Sequence, residues 1–196
     1  MKKKKILLKL LMVTALLLTV LACSSVAKAD NRNTRTVVDM TGKKVRIPYH
    51  IERVADLWHA SNQVVLLLGG EHKLVATTQV IKQYCLFKLI YPEIRQVVAP
   101  FSGQTLQVEE LLKTKPDVVI AADSNQLKQA KNAGLPVVNA MFQNFAGLRK
   151  SVDLTAKVLG GTTNNVAANY QKDLTANLNY VKSHLIIVKN KPIVLH

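Results

Sequence analysis

The stretch KPDVVIAADSNQLKQAKNAGLPVVN, residues 115–139, carries the pattern that decides the fold. Residues 117–121 are a nearly continuous apolar run, as a strand buried on both faces requires. Residues 125–133 have helical spacing and end at Gly134, and residues 136–139 are apolar again. A strand, a short helix and a second strand in this order predict a parallel β–α–β unit.

The same alternation extends upstream to residue 36. It predicts strands at 53–57 and 74–77, helices at 61–68 and 108–114, and helical spacing at best for 80–91. A hairpin is predicted ahead of them, in which 37–38 and 45–47 flank a turn at Gly42. Strands this apolar, each joined to the next by a helix, predict an α/β fold whose parallel sheet is covered on both faces.

Two helices are predicted after the sheet. Asn144 is suited to cap a helix that runs to Leu159, where two glycines end it. A second helix opens at residue 162 or 163 and continues to about 185, a length of about 34 Å at 1.5 Å per residue. It carries one apolar stripe, formed by Val166, Tyr170, Leu174, Leu178 and Val181. A further strand is predicted to begin at residues 191–196.

The N-terminus has the pattern of an export signal. Four lysines at residues 2–5 precede an apolar run, residues 6–22, that is short for a bilayer span, although a transmembrane anchor is the alternative. Residues 20–23, Val-Leu-Ala-Cys, resemble the lipobox of bacterial lipoproteins, which implies cleavage before Cys23 and lipid attachment to its thiol. We therefore predict a signal peptide at 1–22, a flexible tether at 23–35, and anchoring at the extracytoplasmic face of the cell membrane.

Composition narrows the function classes. Residues 1–22 contain five lysines and no acidic residue, so the remainder keeps a formal charge of +10 out of +15. Its lysines are scattered rather than interleaved with aromatic residues, which argues against nucleic-acid binding. Cys85 has no partner for an internal disulfide and is expected to be a small buried apolar residue. The motifs GxSxG, HExxH, GxxxxGK[ST] and GxGxxG are absent from the sequence, which argues against an enzyme.

Short motifs in a fixed order carry a family resemblance. They are VDMTG at 38–42, RVA at 53–55, LLGG at 67–70, VEELL at 108–112, KPDVVI at 115–120 and GLPVV at 134–138. In this order they resemble the substrate-binding lipoproteins of ABC importers for iron siderophores, haem and cobalamin, the class III periplasmic binding proteins. The resemblance implies a Rossmann-like N-terminal lobe at 36–145, a helix pair at 146–186 that includes the long inter-lobe helix, and ligand held between two lobes.

In that family a second α/β lobe follows the long helix. Only residues 187–196 would belong to it here, so we expect either a truncated reading frame or a fragment of a longer product. The resemblance implies a monomeric receptor without a resident cofactor or metal, which captures an iron complex, haem or cobalamin. An ABC permease with its ATPase would be its partner. A non-functional fragment and a stand-alone surface scavenger of ligand are the alternatives.

Candidate ligand-binding residues follow from a geometric rule, because the loops beyond the carboxyl ends of parallel strands line the binding crevice. Successive strand ends are followed by Trp58 and His59, by Thr78 and Gln79, by Ser124, and by Met141. The resemblance adds Phe101 and Ser102, in a loop that the family uses for ligand contact. It also implies that Glu109, at the start of a helix, docks onto arginines of the permease.

Trp58 and His59 each have two readings. The Trp58 ring is suited to stack on a planar ligand, or else it packs between elements of the lobe. His59 either coordinates the metal of a bound ligand or makes ordinary hydrogen bonds. For Glu109 the alternative is an acidic residue favoured by the helix dipole in the first turn.

Overall fold

The computed structural model describes residues 33–185. The predicted signal peptide, Cys23, most of the predicted tether and the predicted strand at 191–196 lie outside these residues. Residues 35–185 belong to one compact unit. Its elements, in chain order, are β1 (Thr34–Val38), β2 (Lys44–Pro48), β3 (Val54–Asp56), α1 (His59–Leu67), β4 (Leu74–Ala76), α2 (Gln79–Gln83), α3 (Cys85–Ile90), β5 (Phe101–Ser102), β6 (Thr105–Leu106), α4 (Val108–Lys113), β7 (Val118–Ala121), α5 (Ser124–Asn132), β8 (Val137–Asn139), α6 (Phe145–Leu159) and α7 (Thr163–Leu185).

Four of these strands form the central sheet, in the order β4-β3-β7-β8. All three pairings are parallel, with Val54 opposite Val118 and Val119 opposite Val137. The chain runs outward from β3 to β4, then returns across β3 to continue with β7 and β8. The direction of winding therefore reverses between β3 and β7, as in other doubly wound α/β sheets.

Alternating side chains of the sheet feed two separate cores. Val54, Val118 and Ile120 pack with buried residues of α1 and α6 on one face. Ala55, Val119 and Ala121 pack with Leu111 of α4 and Ala130 of α5 on the other face. Because side chains along a strand point alternately to the two faces, a strand buried on both sides is apolar throughout. The predicted parallel sheet with two covered faces is confirmed.

The predicted hairpin is also confirmed, as β1 and β2. Its turn is built by Asp39, whose carboxylate accepts hydrogen bonds from the amides of Thr41 and Lys43, both at 2.9 Å. Gly42 has a φ of +82°, a conformation that a residue with a Cβ rarely adopts. The amide of Met40 donates to the carbonyl of Asn139, which joins the hairpin to the end of β8.

The two helices after the sheet begin and end close to the predicted positions. Asn144 caps α6 by accepting a hydrogen bond from the amide of Gly147 at 2.8 Å, and Gly160 follows the helix with a φ of +72°. α7 packs on α6 through its first half, where Thr163 and Ala167 are buried. Of the apolar stripe predicted along α7, Tyr170 and Leu174 are half-buried, whereas Val166, Leu178 and Val181 are exposed. No helix within residues 33–185 combines the length and apolar character needed to cross a membrane.

The prediction for Cys85 was wrong, because this residue is exposed. It lies at the start of α3, and the buried residue of that helix is Phe87. Two residues span about 200° around a helix, so the burial of Phe87 turns Cys85 towards solvent. The ambiguous segment 80–91 consists mainly of the short helices α2 and α3.

Candidate functional site

A cleft of about 990 Å³ lies at the carboxyl ends of the parallel strands. The residues that follow β3, β4 and β7 line it, together with the β5–β6 hairpin and one side of α5. In a doubly wound sheet the reversal of winding leaves such a crevice between the two strands where it occurs, here β3 and β7. The topology alone therefore indicates this end of the sheet as the ligand site.

Five of the eight predicted ligand-binding residues meet in this cleft. They are Trp58, His59, Thr78, Gln79 and Phe101. The other three are not among its lining residues. Ser102 is exposed on β5, Met141 is exposed after β8, and Ser124 borders a neighbouring groove beside the β1–β2 hairpin. A role in ligand binding stays a prediction for all eight residues.

Trp58 lies at the junction of β3 and α1 and is held by aromatic contacts. Its ring meets that of Phe142 edge to face, with centroids 5.0 Å apart, and that of His59 at 6.0 Å. Edge-to-face packing of this kind is favourable and fixes the orientation of a ring. The indole thus packs against the lobe and also lines the cleft, and stacking on a planar ligand stays a prediction.

Under Trp58 lies a buried polar network centred on Asp56, the last residue of β3. Asp56, Ser61, Asn62 and Thr77 are all 0% exposed. The Asp56 Oδ1 atom accepts a hydrogen bond from the Trp58 amide at 3.1 Å and lies 2.5 Å from Ser61 Oγ. Asn62 Nδ2 donates to the Asp56 and Trp58 carbonyls, and the Thr77 hydroxyl donates to Asn62 Oδ1 at 2.7 Å. The network joins the ends of β3 and β4 to the first turn of α1.

Asp56 is the ionisable residue of this network, and its hydrogen bonding is incomplete. Its Oδ2 atom is buried and has no hydrogen-bond partner within the described residues. Burial raises the pKa of the carboxyl to about 8, against the lowering effects of the Ser61 and Trp58 hydrogen bonds. The sequence analysis missed Asp56. Its one signal was an acidic residue at the end of an otherwise apolar strand.

The two helices that begin at the cleft have different first turns. Asp123 caps α5, where its Oδ1 accepts from the amides of Asn125 and Gln126 at 2.9 Å. α1 begins after Trp58, and among the described residues no side chain caps it and no acidic residue lies in its first turn. The first amides of α1, with the positive end of the helix dipole, are therefore open to an anionic or hydrogen-bond-accepting group.

Amide side chains dominate the rest of the lining, and the sequence analysis missed most of them. They are Gln79, Gln104, Asn125, Gln126, Gln129 and Asn132. The Gln126 side-chain oxygen is buried and has no hydrogen-bond partner among residues 33–185. The charged members of the lining are Asp123 and Lys128, with His59 as a third titratable group. The wall is thus suited to hydrogen-bond the oxygen acceptors of a ligand.

A second cavity, of about 1020 Å³, lies near the amino ends of β3 and β4. Two of the cations that line it, Arg35 and Lys73, donate to backbone carbonyls. Arg35 donates to Val158 at 2.8 Å, and Lys73 donates to Ile51 at 2.6 Å. These contacts stabilise the carbonyl end of α6 and the entry to β3, which is a structural role.

Glu109 is exposed in the first turn of α4, and no ion pair engages it within residues 33–185. Its neighbour Glu110 instead pairs with Lys113 at 2.6 Å. Glu109 is therefore the carboxylate of this turn that is open to a partner.

Two curated relatives match part of the chain. The molybdate-binding protein MolA of Haemophilus influenzae is 31% identical over 112 residues, which are 53% of this chain and 31% of that protein. The uncharacterized ABC transporter substrate-binding lipoprotein YvrC of Bacillus subtilis is 24% identical over 132 residues, which are 64% of this chain and 40% of that protein. No family model matches the chain. The matches thus span less than half of each relative.

Solved structures agree with these relatives. A periplasmic solute binding protein from Veillonella parvula superposes with a TM-score of 0.70 and 25% identity over 82% of this chain and 51% of that one. Molybdate-bound MolA superposes with a TM-score of 0.69 at 23% identity, over 55% of its chain, which shows a shared fold. These proteins are solute-binding proteins, not enzymes. The chain therefore has the fold of these solute-binding proteins and is similar in sequence to an ABC transporter substrate-binding lipoprotein, and it spans about half the length of the solved structures it matches.

Proposed function

We propose that the cleft at the carboxyl ends of β3, β4 and β7 captures a metal species that carries anionic or hydrogen-bond-accepting oxygen groups, for delivery to an ABC permease. The observation that carries this proposal is the uncapped first turn of α1, which opens into the cleft beside Trp58. Amide groups at a helix N-terminus bind phosphates, sulfates and carboxylates in many proteins. The corresponding turn of α5 already holds its own carboxylate, Asp123.

Two ligand classes share this chemistry. The sequence predicts an iron complex, haem or cobalamin, and siderophores and haem present carboxylates or other oxygen acceptors. The relative MolA is a molybdate-binding protein, which adds a tetrahedral oxyanion to the candidates. An oxyanion would lie on the amides of α1 and the side-chain amides of α5, whereas a planar chelate would lie against the faces of Trp58 and Phe101.

A fluorescence titration of the full chain in mild detergent tests the proposal. Trp58 is the only tryptophan, so its emission reports on the cleft alone. Molybdate, tungstate, haemin, a ferric siderophore and cobalamin are added in turn. We expect saturable quenching by one of them, and a loss of affinity of about tenfold or more in Gln79→Ala and Gln129→Ala if it is an oxyanion. A folded chain with no saturable response to any of them contradicts the proposal.

The same proposal includes a lipid anchor at Cys23, an extracytoplasmic location and a monomeric state. The relative YvrC is a lipoprotein, which supports the anchor. For permease docking we propose Glu109, because its carboxylate has no partner in the described chain and Glu110 has one. Glu109→Arg should weaken permease binding while ligand affinity is kept, and Glu110→Arg is the matched control.

A further inference from the structure

The position of the buried Asp56 carboxyl in the fold indicates a role beyond stability. It ends β3 directly beneath the junction from which Trp58 and the first turn of α1 enter the cleft. It is wholly buried, yet its Oδ2 atom has no hydrogen-bond donor within the described chain. Buried polar atoms are nearly always paired, so an orphaned carboxyl oxygen at a binding site calls for a functional account.

The hydrogen bonds of Asp56 reach only one of its two oxygens. Ser61 Oγ donates to Asp56 Oδ1 at 2.5 Å and the Trp58 amide donates to the same atom at 3.1 Å. The buried Oδ2 atom accepts no hydrogen bond within residues 33–185. A buried carboxylate with one oxygen unsatisfied is unfavourable, which favours the neutral acid. Burial, which raises the pKa of Asp56 to about 8, agrees with this arrangement.

No charged group of the surrounding elements compensates Asp56. The titratable or charged side chains on those elements are His59 on α1, Lys82 on α2, Asp123 after β7, Lys128 and Lys131 on α5, and Arg149, Lys150, Asp153 and Lys157 on α6. Within residues 33–185 none of them forms an ion pair or hydrogen bond with Asp56. An ionised Asp56 would therefore be an uncompensated negative charge at the base of the cleft.

We propose that Asp56 sets the charge preference of the cleft: as a neutral acid it leaves the first turn of α1 open to an anionic group, and its ionisation expels that group. The inference rests on the proposed function. On ionisation the proton is released to solvent. The carboxylate then interacts with the positive end of the α1 helix dipole from the protein interior, and this interaction competes with the bound ligand. A negative charge within about 8 Å of a bound anion weakens binding by roughly tenfold or more at protein-like dielectric values.

The experiment follows Trp58 emission of the full chain in mild detergent from about pH 6 to about pH 10. Without ligand, we expect one sigmoidal change with a midpoint near 8, because the Trp58 amide is bonded to the titrating carboxyl. Saturating molybdate, which does not titrate in this range, should move the midpoint upward. Linkage requires this, since a ligand that prefers the protonated form stabilises it.

Two variants complete the design. Asp56→Asn keeps the shape but cannot ionise, so the ligand-free transition should vanish, and affinity for molybdate should become the same at about pH 6.5 and about pH 9.5. Asp123→Asn removes the exposed carboxylate of the cleft, and its ligand-free transition should stay near that of the unaltered chain.

The outcomes separate this inference from the proposed function. A transition that persists in Asp56→Asn overturns the inference, and so does molybdate affinity in the unaltered chain that is equal at the two pH values. If neither molybdate nor any other ligand binds at either pH, the proposed function fails. In that case the pH dependence of Trp58 emission without ligand still reports the ionisation of Asp56.

Discussion

At the scale of single residues, Asp56 links the stability of the lobe to pH. Its pKa is raised from 3.8 to about 8 in the folded chain, with burial as the main cause. The folded state therefore holds one more proton than the unfolded state between about pH 4 and about pH 8. The stabilisation from this proton is fully present below pH 4 and is lost as the pH rises through the folded pKa.

Asp56→Asn removes this dependence, since the amide does not ionise. Relative to the variant, the free energy of unfolding of the unaltered chain should fall by up to about 1.4 kcal/mol per pH unit in that window. Urea unfolding at several pH values, followed by circular dichroism, measures the difference. Parallel curves for the two proteins across the whole window would show that Asp56 is ionised when folded.

Residue types with a local physical cause were predictable from the sequence. Asn144 and Gly42 were placed correctly, because helix capping and positive φ favour these residues at sites that sequence neighbours define. Cys85 was not, since burial in a short helix depends on which face meets the core. Asp56 was missed because its burial arises from elements that are distant in sequence, such as β7, where Ile120 lies opposite it.

At the scale of elements, Arg35 joins β1 to the end of α6. Its guanidinium donates to the carbonyls of Lys157 and Val158 in the last turn of α6, and to the carbonyl of Tyr49 at 3.0 Å. The carbonyls of Lys157 and Val158 lack hydrogen-bond partners within α6, and a cation beside them also interacts favourably with the negative end of the helix dipole. This one side chain therefore holds the hairpin against the helix.

Arg35→Ala should lower the free energy of unfolding by about 1–3 kcal/mol, since the charged hydrogen bonds to the α6 carbonyls are lost. Arg35→Lys should retain part of the stability, because an ammonium can reach one carbonyl but not the whole set. Urea denaturation near neutral pH measures both variants. If Arg35→Ala unfolds at the same urea concentration as the unaltered chain, solvent replaces these contacts without cost.

Helices and strands whose apolar residues recur with a regular period were predicted well. The segments between them were not. The strands β3, β7 and β8 and the helix α6 follow the sequence pattern closely, because each buries a continuous apolar face. The bounds of α7 were also close to the prediction, although only Thr163 and Ala167 of this helix are buried. The segment that forms α2 and α3 stayed ambiguous, since it buries Ile81 and Phe87 but exposes Val80, Leu86 and Leu89. Without a regular apolar stripe, periodicity cannot distinguish helix from loop.

At the scale of the whole molecule, topology explains why part of the cleft lining could be predicted from the sequence. The carboxyl ends of parallel strands meet at one edge of the sheet, so the residues after β3 and β4 converge wherever the loops are short. Trp58, His59, Thr78 and Gln79 all line the cleft for this reason. The amide side chains of α5 were missed because their orientation depends on how that helix packs against the sheet.

We propose that the cleft of this lobe holds one metal species that carries anionic or hydrogen-bond-accepting oxygen groups. Equilibrium dialysis of the full chain in mild detergent, followed by elemental analysis for molybdenum, tungsten, iron and cobalt, tests it most directly. We predict that one of these elements is retained at about one atom per chain after dialysis against its oxyanion or chelate, and that this retention falls by about tenfold or more in Gln79→Ala or Trp58→Ala. Retention of none of the four by a folded chain, or retention unaffected by both substitutions, would contradict the account.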